Sequence, residues 1–220
     1  MDQKKAIFRL KLVLWISVLA PVAWLGAAFY FDTYAANSVQ RVSLGANPIE
    51  KLTHVTGMTT LVLLLITLSV TPIRRLSGWN RVIKLRRPLG LFAFFYAFLH
   101  FSIWSGLDQT FVWGWMVEDV IERPYITVGF AAFVILIPLA LTSTTGWIRR
   151  LGTRWNVLHR GIYVTATLGV IHFYWLVKAD VRLPLFLIGC LVVLFAYRIQ
   201  FSWKKRRKVS PKRDIQPANP

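Results

Sequence analysis

Residues 158–178 read LHRGIYVTATLGVIHFYWLVK, and between Gly161 and Val177 no side chain carries a formal charge. No proline or turn cluster interrupts the run, which is too long for a strand and suits a single helix. About 20 residues rising about 1.5 Å each cover the roughly 30 Å of hydrocarbon in a bilayer. A chain that commits residues 157–177 in this way belongs in a membrane. The same stretch places His159 and His172 near opposite ends of one apolar segment, in a chain with only four histidines.

The rest of the chain agrees. Of its 220 residues 55% are hydrophobic and 16% charged, and the mean hydropathy of +0.51 excludes a water-soluble globule. Further apolar runs lie at 12–31, 52–72, 89–107, 125–145 and 184–201. The sequence therefore predicts an all-α, polytopic membrane helix bundle with six transmembrane helices. Turn and charge signals separate the runs: GANPIEK at 45–51, TPIRRLSG at 71–78, ERP at 122–124, TGWIRRLG at 145–152 and KADVRLP at 178–184. No connection is long enough for a second domain, so residues 1–220 read as one transmembrane domain ending in a basic tail at 202–220. Lys4, Lys5, Arg9 and Lys11 ahead of the first run imitate a secretory signal, but about 19 apolar residues that include Trp15 and Trp24 point to a retained helix.

Charge gives the orientation. The N-terminal stretch, the 73–88 loop, the 146–160 region and the tail from Arg198 hold 4, 6, 4 and 8 of the 27 Lys and Arg, leaving 5 for the alternate loops. Positive charge stays inside, so both termini are expected in the cytoplasm. Asp32, Glu50, Asp108, Glu118, Asp119, Glu122 and Asp180, seven of the nine acids, collect on the other side. The net charge of +18 is thus a topology signal, with KKRRK at 204–208 suited to anionic membrane lipid. No folded reader of nucleic acid is present to use it.

Depth follows from the helix rise. His159 sits about one turn in from the cytoplasmic face, and His172 about 20 Å further along the axis. His100 falls about 18 Å up the third span and His54 close to the outer surface, so three histidines share the outer half. An imidazole within the membrane needs a partner inside the bundle and marks a functional site by default. Haem iron accepts two axial imidazoles from facing helices. Zinc is poorly supplied, because it wants about four ligands around a tight centre, while the acids are in outer loops and the lone Cys190 is deep in the sixth span. With no CxxC for covalent attachment, any haem is b-type, one or two in number. A separation of 13 residues turns a helix about 220° past three full turns, so His159 and His172 do not share a face. Either the helix is overwound near Gly161 or Gly169, or the two mark separate sites, the inner one lacking a second histidine.

Several runs carry a family resemblance: HVTG at 54–57, RRPLGLFAFFYAFLH at 86–100, RPY at 123–125, LTSTTGWIRRLGTRWNVLHRGIY at 141–163 and IHFYWLVK at 171–178. They closely resemble the MsrQ (YedZ) family of the ferric-reductase-like transmembrane superfamily. The resemblance implies a bacterial inner-membrane b-type cytochrome that passes electrons from quinol to MsrP, a periplasmic molybdenum-containing (molybdopterin) methionine sulfoxide reductase, in repair of oxidised periplasmic proteins. It implies haem-associated histidines at His100, His159 and His172, with His100 and His172 as the outer pair and His54 as a further candidate. FMN comes with the family as a cofactor, without a site in this sequence. Larger members of the superfamily add a cytoplasmic FAD and NAD(P)H domain. No GxGxxG follows a strand here, so the expected donor is quinol or a separate flavin reductase.

Arg86, Arg87 and Arg160 suit haem propionates or quinone oxygens at the cytoplasmic face, and equally suit plain positive-inside anchoring. Trp113, Trp115, Trp147, Trp155 and Trp175 read as interface tryptophans, and Thr142 to Thr145 as residues that satisfy backbone near a helix end. Two other functions fit six spans with buried histidines: a free-standing ferric reductase, and a proton-coupled transporter that uses histidines as relays and needs no haem.

Overall fold

The computed structural model describes residues 3–34, 44 and 46–209, with side chains for 5–31, 44 and 46–203. The tail from 210, the side chains of KKRRK at 204–208 and that of Asp32 lie outside the described residues. Nine α-helices are described: α1 Gln3–Tyr34, α2 Pro48–Ser77, α3 Arg86–Ile103, α4 Trp113–Glu122, α5 Pro124–Leu141, α6 Thr145–Leu151, α7 Thr153–Leu158, α8 Gly161–Leu176 and α9 Arg182–Val209. A 3₁₀ turn, Asn80–Leu85, leads into α3, and a π turn, Trp104–Asp108, ends it.

Local sequence sets the helix ends. Asn47 caps α2 by accepting from the Glu50 N–H at 3.2 Å, and Pro48 sits in the first turn, where a missing N–H costs nothing. At the far end Arg74 and Arg75 face the negative pole of the helix, and Gly78, at φ 68°, takes the left-handed position that stops it.

Helix α2 is the axis of the bundle. Half of its most apolar stretch is buried, against 17–22% for the other long apolar helices. Leu61, Leu64 and Leu68 of α2 join Ala93 and Tyr96 of α3, Leu136 of α5, Ala166 and Val170 of α8 and Leu191 of α9 in one core. Helices α2 with α3, and α5 with α8, form the two most extensive pairs. Outward-facing side chains stay apolar, as Phe8, Val13, Ile16, Phe186 and Val193 show; lipid, not water, suits them. Tyr96, fully buried, donates its hydroxyl proton to the Val18 carbonyl and ties α3 to the lightly packed α1.

Five helices are long and apolar enough to cross a membrane: Lys5–Phe31, Pro48–Ser77, Asn80–Asp108, Pro124–Leu141 and Arg182–Trp203. The expected 125–145 span ends earlier, because the helix stops at Leu141 and Thr144 starts α6 by accepting from the Trp147 N–H at 3.4 Å. The expected 157–177 span is divided at His159 and Arg160, where the Arg160 N–H reaches the Val157 carbonyl, three residues back, at 3.1 Å. That division leaves α8 with 16 residues.

Candidate functional site

His100 on α3 and His172 on α8 are held in matching ways. His100 Nδ1 donates to the Thr53 carbonyl of α2 at 2.9 Å, and His172 Nδ1 donates to the Tyr125 carbonyl of α5 at 2.7 Å. Each acceptor lies 47 residues before its histidine. Four residues beyond each acceptor stands a glycine that makes room for the ring. A Cβ at Gly57 would meet His100 Cε1 at 2.9 Å, and one at Gly129 would meet His172 Nδ1 at 2.7 Å. The two strongest helix pairings therefore each present one imidazole, and the ring centres lie 6.2 Å apart at an interplanar angle of 82°.

A carbonyl can only accept, so both Nδ1 atoms carry the proton and both Nε2 atoms keep a lone pair. Anchoring of one ring nitrogen to a carbonyl is the usual support for a metal-ligating histidine. An ion binding two imidazoles at about 2 Å each spaces the ring centres by about 6 Å, which matches the pair. The rings face a cavity of about 670 Å³, whose wall includes Phe101, Phe133, Phe173 and Leu136. These residues fit a flat apolar group with a central iron. Among the described residues no cluster of three or more His, Cys, Asp or Glu side chains could hold an ion without such a group.

His54 lines the same cavity from α2, exposed, with its ring 6.2 Å from that of Phe173. His159 stands apart. Its ring stacks on Trp155 at 3.9 Å, and its Nε2 meets Thr142 Oγ1 at 3.1 Å. Because that hydroxyl gives its only proton to the Pro138 carbonyl at 2.6 Å, Nε2 is the donor and Nδ1 keeps the lone pair. The two histidines of the opening stretch thus point to different neighbours, and α8 is divided rather than overwound. Arg86 is half-buried and near enough to His159 for its charge to act there, while Arg87 and Arg160 are exposed. Trp155, expected at the interface, also forms a platform for His159.

Sequence reasoning missed the mouth of the cavity. Asp119, counted only as an outer acid, is buried. It accepts from Trp104 Nε1 at 3.2 Å and Gln109 Nε2 at 3.1 Å, and pairs with Arg123 at 2.9 Å. Exposed Arg123, bonded to Tyr125 and facing Asp119, has its pKa raised. The supporting glycines were legible in principle, since Gly57 and Gly129 each precede a histidine by 43 residues.

The apolar helical bundle is of the class of ferric-reductase-like transmembrane proteins: residues 52–170, which include His54, His100 and His159, match the family described as ferric reductase like transmembrane component. A relative in Xanthomonas axonopodis pv. citri (strain 306), the protein-methionine-sulfoxide reductase heme-binding subunit MsrQ, is 45% identical over 203 residues, covering 91% of this chain and 90% of the relative. The protein of the same name in Herminiimonas arsenicoxydans is 52% identical over 168 residues, covering 75% of this chain and 77% of its own. The chain belongs to the MsrQ family and is a multi-pass membrane protein.

Proposed function

We propose that the chain is the b-type haem subunit of a methionine-sulfoxide reductase system, handing electrons from the quinone pool to a periplasmic molybdopterin-containing reductase, MsrP. It would sit in the bacterial inner membrane with six spans and both termini in the cytoplasm. The observation that carries this reading is the His100–His172 pair, 6.2 Å between ring centres across the cavity. When bound there, haem supplies one-electron chemistry. The protein's own part is structural: with each Nδ1 proton given to Thr53 or Tyr125, the Nε2 lone pairs of His100 and His172 would hold the iron, and Phe101, Phe133, Phe173 and Leu136 would pack against the flat group. The names of the relatives cited above supply the heme and the reductase system. His159, near Arg86 at the basic end, is the candidate for the side on which electrons enter, with exposed Arg87 and Arg160 as further candidates for propionate or quinone contacts.

Absorption spectroscopy of the purified chain tests the proposal. The expected result is a Soret band with a dithionite-reduced α band in the wild type, and loss of most of both in His100→Ala and in His172→Ala. A colourless wild type, or full haem retention in both variants, would overturn it.

A further inference from the structure

At the basic end of the bundle, opposite the histidine cavity, Arg198 of α9 turns inward. One terminal nitrogen donates to the Tyr163 hydroxyl at 2.6 Å, and the other to the Leu68 carbonyl of α2 at 2.6 Å. Its Nε is buried without an acceptor. Arg75 and Arg86 lie close enough for their charges to act on it, and the Arg75 guanidinium rests 3.5 Å over the Phe201 ring. No carboxylate answers this charge among the described residues. The ion pairs there are Arg123–Asp119 and Arg182–Asp180, and the described acids, Glu50, Asp108, Glu118, Asp119, Glu122 and Asp180, all belong to the other end. A part-buried cation with like charges beside it and one donor unmet calls for an anion.

The surroundings say what carries that anion. Exposed Ile73, Leu76, Ile199 and Trp203 flank the arginines, an apolar collar at the level where a helix end leaves hydrocarbon. Basic pockets between helix ends are the usual seats of lipid headgroups. We propose that Arg198, with Arg75 and Arg86, binds the phosphate of an anionic phospholipid. This site is separate from the histidine pair and goes beyond the electron-transfer reading, although it shares Arg86 with the proposed electron-entry side.

The test uses the full chain in a zwitterionic detergent, titrated separately with phosphatidylglycerol, phosphatidylcholine and inorganic phosphate while the thermal unfolding midpoint is followed. The expected result is a saturable, salt-sensitive upward shift with phosphatidylglycerol and none with phosphatidylcholine. Affinity should fall about tenfold in Arg198→Lys, which keeps the charge but has no Nε donor beside the two terminal nitrogens already engaged by Tyr163 and Leu68. Arg75→Gln, whose side chain is exposed and bonded to no backbone carbonyl of the bundle, should weaken binding as well without unfolding the protein. Equal response to the two lipids, or wild-type affinity for phosphatidylglycerol in both variants, overturns the proposal. So does saturation by inorganic phosphate that phosphatidylglycerol fails to displace, since the ligand is then soluble phosphate.

Discussion

Two glycines decide whether the imidazoles can stand where they do. Gly57 and Gly129 each face a ring whose opposite nitrogen must stay free, and a single added carbon at either would lie under 3.0 Å from ring atoms. The ring must then shift away from its carbonyl, losing a hydrogen bond of about 1 kcal/mol and adding overpacking of about 1–3 kcal/mol. Gly57→Ala and Gly129→Ala should each lower haem retention at least several-fold, read as Soret absorbance per protein after dialysis. Gly90→Ala is the control, because its nearest neighbour is Thr67 Cγ2 at 3.9 Å. Equal retention in all three would remove the glycines from the site. The histidines themselves were legible at this scale, since a polar ring in an apolar run is conspicuous. Their anchors were not, because Thr53 and Tyr125 act through carbonyl oxygens that every residue possesses. The burial of Asp119 leaves no mark in the sequence for a related reason: it depends on Trp104, Gln109 and Arg123 converging from separate turns.

At the scale of elements, the apolar runs marked the helices, and the short pieces escaped. Helix α4 lies wholly in what reads as an outer loop, exposing Trp113 and Ile121 while it buries Asp119. Thr110 and Phe111 before it take φ of 50° and 57°, a left-handed pair that no residue type there announces. Proline shows how an element's defect becomes a joint. Pro72 has no N–H for the Leu68 carbonyl four residues back, and Arg198 of α9 fills the gap at 2.6 Å. Pro72→Ala would give the helix its own donor. Arg198→Gln should then cost about 1–3 kcal/mol less stability in the Pro72→Ala background than in the wild type, as measured by denaturant unfolding in mixed micelles. Additive losses would mean that the arginine does not serve that carbonyl. The same cycle separates this stapling role from phosphate binding, which depends on Nε and the neighbouring charges.

For the whole molecule, α8 decides the number of spans. By length it falls short, at 16 residues and about 24 Å, yet its neighbours argue that it spans as far as α5 does. Gly161 at its start lies against Ile135 and Leu139, near the end of α5, and His172 near its finish bonds to Tyr125 at the start of α5. The two run antiparallel with their ends level, the arrangement expected of two helices that cross the same membrane. The charges agree: Arg74, Arg75, Arg149 and Arg150 close helices at one end, and Asp119 and Asp180 lie at the other. Reporter fusions after Glu118 and Asp180 should therefore read periplasmic, and those after Ile83 and Gly152 cytoplasmic. The Asp180 fusion is the discriminating one, because a five-span chain in which α8 stays on the cytoplasmic side puts Asp180 on the same side as Gly152. That outcome would also part His172 from His100 by the depth of the membrane, and the paired-histidine site would fall with it.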